Sequence, residues 1–161
     1  MTRKIKVGNV YIGGGAPISV QSMCHTKTAD VENTIKQIIS LQNAGCDIVR
    51  FAVNSATDAA AIKEIKNATD IPLVADIQYD YKLAVLSAEN GIDKVRINPC
   101  NIGDERKVRY LADVLKERHI PIRIGVNTGS LEKDLKNLNP ADALVESAKR
   151  HIKILENAGF F

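Results

Sequence analysis

PIRIGVN at residues 121–127 reads as a strand with a charge at its centre: Ile122, Ile124 and Val126 alternate with Arg123, Gly125 and Asn127. Side chains alternate across a strand, so these apolar and polar sets fall on opposite faces. The arrangement recurs upstream, with Arg50 inside IVRFAV (48–53), Asp76 inside LVADI (73–77) and Arg96 inside KVRIN (94–98). Arg50 therefore shares a face with Ala52 and Asn54, Asp76 with Gln78, and Arg96 with Asn98. Parallel strands covered by helices are normally apolar throughout, because a lone buried charge costs on the order of several kcal/mol. In an open doubly wound sheet this polar face would lie dry beneath a helix. In a barrel it faces an interior that opens at the C-terminal rim, and the pattern favours the barrel.

Outward from these strands the chain alternates β-branched runs with helical patterns, the mark of successive βα units. Strands are expected at residues 18–23, 47–53, 72–77, 94–98 and 121–126. Helices are expected at 30–44, with Asp30 as N-cap, at 58–67, in a third segment ending at Asn90 and Gly91, at 104–118, and at 140–157, opened by Pro140. The fold class is α/β: a partial TIM (β/α) barrel of about five units. VGNVYIGG (7–14) breaks an alternating pattern at Gly8 and Asn9, which predicts a short N-terminal β-hairpin ahead of the barrel. Gly13, Gly14 and Gly15 lead into Ala16 and Pro17 and a further strand, so they read as a connector and not as a phosphate loop.

Composition narrows the function. The 161 residues carry a net charge of +3 and 4% aromatics without Trp, which leaves little for nucleic acid to bind. No apolar run approaches the roughly 20 residues of a membrane span, and the start lacks a signal-peptide core, so the cytoplasm is the expected compartment. Cys24, Cys46 and Cys100 include no closely spaced pair and read as reduced thiols without metal or redox duty. His25 follows the first barrel strand and is open to two readings, a rim donor or an ordinary loop residue. His119 and His151 read as surface.

Arg50, Arg96 and Arg123 converging at a rim suit a ligand with several anionic oxygens, because the guanidinium fork matches phosphate geometry. An ion-pair network with Asp76 is the competing explanation, although one inward carboxylate does not balance three guanidiniums. Loops at 101–103 and 127–130 could add backbone N–H groups.

With PISVQSM (17–23), DYKLA (80–84), NIG (101–103) and GSLEKDL (129–135), these segments resemble one family in order and along nearly the whole chain: 4-hydroxy-3-methylbut-2-enyl diphosphate synthase of the non-mevalonate isoprenoid pathway. The resemblance implies reductive opening of 2-C-methyl-D-erythritol 2,4-cyclodiphosphate. It implies electrons from ferredoxin or flavodoxin passing through a 4Fe–4S cluster held by three Cys and one Glu in a C-terminal domain, and a homodimer. Carried over by motif, Arg50, Arg96 and Arg123 would hold phosphate oxygens, with Asp76, Asn98, Asn127 and Ser130 completing the rim. No catalytic residue is assigned. The chain departs from the family pattern at Cys24, His25, Gln78, Lys82 and Cys100, the last standing where the family usually has Gly.

The family continues beyond the point where this sequence stops. Residues 1–161 are therefore expected to form the N-terminal part of the barrel, without the remaining units or the cluster domain, to bind no iron–sulfur cluster and to lack redox activity alone. Two other readings stay open: a phosphate-binding barrel of aldolase or pterin-synthase type, and a non-catalytic assembly module using exposed sheet edges.

Overall fold

Five of the helices begin at a residue whose side chain accepts from a first-turn N–H: Asp30 from Asn33, Ser55 from Asp58, Asp80 from Lys82, Asp104 from Lys107 and Asn139 from Ala141. The computed structural model describes residues 2–161. Its elements run β1 (Ile5–Val7), β2 (Val10–Ile12), β3 (Gln21–Met23), α1 (Val31–Asn43), β4 (Ile48–Ala52), α2 (Ala56–Ala68), β5 (Leu73–Ile77) and α3 (Tyr81–Glu89). They continue with β6 (Lys94–Ile97), α4 (Pro99–Ile102), α5 (Glu105–Glu117), β7 (Ile122–Ile124) and α6 (Pro140–Asn157). Two 3₁₀ turns, Thr128–Ser130 and Lys133–Leu135, join β7 to α6.

The strands β3 to β7 form one parallel sheet in chain order, and β1 and β2 form the separate antiparallel hairpin. This is the partial barrel that the alternation of strands and helices indicates. Boundaries differ where local chemistry intervenes. Residues 18–20 fall outside β3, which as an edge strand has a neighbour only in β4 among the described residues, and Ile18 stands 97% exposed. The helix expected from Asp58 begins at Ala56, because Ser55 caps it and Asp58 sits in its first turn. The short helix α4 and both 3₁₀ turns are additions that no periodicity announces, being too short to carry one.

Register divides the sheet into two faces. Val49, Phe51, Val53, Leu73, Ala75, Ile77, Val95 and Ile97 all face the helices, in a core shared with Ile38, Ile62, Ile65, Leu111 and Leu115. Each fully buried side chain of this size contributes about 1.5 to 3 kcal/mol of transfer free energy. The opposite face carries Met23, Arg50, Ala52, Asp76, Lys94, Arg96 and Arg123, as the pairings Met23 with Arg50, Arg50 with Val74 and Val74 with Lys94 require. At the N-terminal end of the sheet the hairpin turn passes close by, with the Gly8 backbone (φ 56°) against Pro72 and Asp93 and Val7 fully buried.

Candidate anion site at the barrel rim

Asp76, Arg96 and Arg123 are Cα partners on three neighbouring strands, so their side chains rise side by side from the inner face. Arg50 and Lys94 stand on the same face one level nearer the N-terminal end, flanking Val74. Asp76 is 4% exposed and accepts from Arg96 Nη1 at 2.8 Å and from Gln78 Nε2 at 3.3 Å. Arg50 Nε stands 3.7 Å from the other carboxylate oxygen and also points at Met23 Sδ at 3.2 Å.

The competing ion-pair network is therefore partly present, and it splits the three arginines. Arg96 is engaged at both ends, its Nη2 donating to the Gly125 carbonyl at 2.8 Å. A Cβ at Gly125 would overlap Arg96 Nε, so the bare backbone there is what lets the guanidinium lie across β7. Arg123 is exposed and forms no salt bridge among the described residues. Lys94 is a further cation on this face, two positions before Arg96, that the sequence pattern does not mark because it opens its strand. Burial, and then the charge of Arg123, hold its pKa below the ordinary lysine value. Four cations thus share one carboxylate on this face, an excess that favours an anion.

Beyond the strand ends, Asn98, Asn127 and Ser130 come together. Asn98 is 1% exposed and its Nδ2 donates to Ser130 Oγ at 2.9 Å, while Ser130 Oγ donates to Asn127 Oδ1 at 3.1 Å. The Thr128–Ser130 turn makes this possible by bringing Ser130, in the loop after β7, to Asn98 at the end of β6. All seven expected site residues therefore lie on one side of the sheet or at its C-terminal end, in two groups. On the opposite flank, Asp58 braces the loops: it is 9% exposed and accepts from the N–H groups of Ala29 at 2.9 Å and Asn54 at 3.0 Å and from Ser55 Oγ at 2.9 Å.

His25 is exposed and its ring nitrogen Nδ1 lies 2.6 Å from Gln37 Nε2, which holds it over α1. His119 is exposed as expected. His151 is not: its side chain is 13% exposed and turned inward from α6 beneath the loops after β6 and β7. Its Nε2 lies 3.1 Å from Glu132 Oε1 and 3.8 Å from Cys100 Sγ, and its Nδ1 is buried with no partner. Burial lowers the His151 pKa and raises that of Cys100.

All three cysteines are free thiols. Cys24 is pushed up to about 11 by burial and by nearby Cys46. A 4Fe–4S cluster needs a convergent set of thiolates. Among the described residues the one convergent group of metal-ligating types contains a single cysteine, so these residues do not fit the cluster. No described helix is long and apolar enough to cross a membrane.

Comparison with known proteins agrees with this architecture. Dihydropteroate synthases from Xanthomonas albilineans and Yersinia pestis superpose with TM-scores of 0.72 and 0.71 at 12% and 11% identity, covering 99% and 98% of this chain and 61% and 59% of theirs. They share the fold. By sequence, the 4-hydroxy-3-methylbut-2-en-1-yl diphosphate synthase (flavodoxin) of Clostridium perfringens is 57% identical over 99% of this chain, and that of Haemophilus influenzae 54% over 98%. The chain spans 46% and 44% of the length of these two relatives. The family model described as the GcpE TIM-barrel domain matches residues 2–161, and the chain belongs to that family.

Proposed function

We propose that this chain is the substrate-binding barrel portion of a 4-hydroxy-3-methylbut-2-en-1-yl diphosphate synthase, and that its inner face holds the cyclic diphosphate 2-C-methyl-D-erythritol 2,4-cyclodiphosphate. The observation that carries the reading is the surplus of cations on one inner face: Arg50, Lys94, Arg96 and Arg123 around Asp76 alone. Arg123, with no acidic partner among the described residues, meets a phosphate without breaking an existing pair. Arg96 keeps its bond to Asp76 and presents its remaining edge. Arg50 holds a thioether and a distant carboxylate oxygen, both weak partners that a phosphate oxygen displaces at small cost. Asn98, Asn127 and Ser130 then hydrogen-bond the part of the ligand nearest the loops, their mutual bonds keeping them oriented beforehand.

The residues described supply binding and orientation and no electron path. The two electrons, their 4Fe–4S relay, the ferredoxin or flavodoxin donor, the homodimer and the cytoplasmic setting are assigned to the longer enzyme that the relatives represent.

Calorimetric titration with pyrophosphate tests the site. Replacement of Arg50, Arg96 or Arg123 by Met should weaken binding by about 1.5 to 3 kcal/mol each, the range for hydrogen bonds to charged groups. Thermal melts should separate the variants. Arg96→Met leaves Asp76 buried with a poorer partner and should cost roughly 1 to 3 kcal/mol of stability, whereas Arg123→Met should cost nothing or stabilise. A wild-type chain that is folded by circular dichroism yet binds no pyrophosphate at millimolar concentration overturns the proposal. So does unchanged affinity in all three variants.

A further inference from the structure

Cys100 Sγ, Glu132 and His151 Nε2 converge from three separate segments: α4 after β6, the loop between the two 3₁₀ turns, and the middle of α6. Sγ lies 3.6 Å from Glu132 Oε2 and 3.8 Å from His151 Nε2, and Nε2 lies 3.1 Å from Glu132 Oε1. The cluster is sheltered, with side-chain exposures of 25% for Glu132 and 13% for His151. The fully buried Ser147, one helical turn before His151, places Oγ 3.6 Å from Sγ.

Two chemistries use these residue types. A nucleophilic relay would place the carboxylate on the imidazole nitrogen away from the thiol, as the third member that orients the base. Here Glu132 and Cys100 approach the same nitrogen, Nε2, and the far nitrogen Nδ1 has no partner. A metal ion asks for the opposite arrangement, in which all donor atoms face one point. With Zn–S of about 2.3 Å and Zn–N and Zn–O of about 2.0 to 2.1 Å, a tetrahedron has S···N and S···O edges of roughly 3.5 to 3.6 Å and an N···O edge of about 3.3 Å. The Sγ···Nε2 separation of 3.8 Å is close to its edge; the carboxylate turns Oε2 to Sγ and Oε1 to Nε2, and one donor atom from each of the three residues lies within 4.8 Å of the other two.

We infer that Cys100, Glu132 and His151 form a tetrahedral site for zinc or a similar borderline-soft divalent cation, with a fourth position beside Ser147 open to water. A thiolate, an imidazole and a carboxylate together select such an ion over magnesium or calcium, which prefer oxygen alone. Bound there, the ion would pin the loops after β6 and β7 to α6. Its ligands are separate from the rim residues, and its test uses no anion.

Cobalt(II), a spectroscopic stand-in for zinc, is added to the reduced chain, and zinc affinity is measured by competition with a chromophoric chelator. One equivalent of cobalt should give a thiolate-to-metal charge-transfer band with the intense visible bands of tetrahedral cobalt. Cys100→Ser should abolish the charge-transfer band, His151→Gln and Glu132→Gln should weaken zinc binding tenfold or more, and Cys46→Ser should change neither readout. Alkylation mapped by mass spectrometry needs no substitution: zinc should shield Cys100 and leave Cys46 as reactive as before. Absence of the charge-transfer band, its persistence in Cys100→Ser, or equal alkylation of Cys100 with and without zinc overturns the site.

Discussion

Gly125 shows how a residue without a side chain governs one with a charge. Gly125→Ala pushes a methyl into the space of the Arg96 guanidinium, which must leave both the Gly125 carbonyl and Asp76. The expected outcome is a chain less stable by roughly 1 to 3 kcal/mol, in the range for overpacked sites, with pyrophosphate affinity reduced as in Arg96→Met. Chemical denaturation and calorimetry on the same sample check it. Lys94 makes a prediction with a sign. Burial and then Arg123 depress its pKa, so the folded state holds this proton less tightly than the unfolded state. The cost is fully present at neutral pH and is relieved as pH rises through the depressed value toward the ordinary lysine range. Lys94→Met should therefore raise Tm at pH 7, and the gain should shrink above about pH 10. Melts at the two pH values decide, and an equal gain at both would show that packing, and not charge, is responsible. That these residues share a face was legible in the sequence, because alternation alone places them. How Asp76 divides its oxygens between Arg96 and Arg50 was not, because that depends on which side chains reach across strands.

At the scale of elements, Asp58 does more than begin a helix. Its carboxylate joins the loop after β3, through Ala29, to the loop after β4, through Asn54, while it completes the cap of α2 with Ser55. Asp58→Ala should cost about 2 to 4 kcal/mol, since three bonds to a charged acceptor are lost together from a buried position. Amide exchange at Ala29 and Asn54 should accelerate, and rapid exchange at both in the wild type would contradict the brace. The sequence announces helices well where they are long and capped, as in α1, α5 and α6. It is silent on α4 and the 3₁₀ turns, which are held by what they touch. That silence also hides His151: a histidine on an amphipathic helix looks external until the loops above it are known to close over it. Cys100, Glu132 and His151 lie in segments far apart in the chain, so no spacing rule unites them.

For the whole molecule, the sheet has two edges. Along β3 the neighbouring Ile18 and Val20 are exposed, and beside β7 a cavity of about 550 Å³ is lined by Ile122, Ile124, Phe160 and Phe161 among others. Edges of this kind invite a further strand. Strand order in the sheet is strand order in the chain, with a consequence for how the protein is made. Each of the strands β3 to β6 pairs with the next one to be synthesised, so this sheet can grow strand by strand in the order in which the chain leaves the ribosome. The hairpin is the exception. It is translated before the sheet, yet its seat at Pro72 and Asp93 does not exist until the chain reaches β5 and β6, so it docks only after strands that are made later.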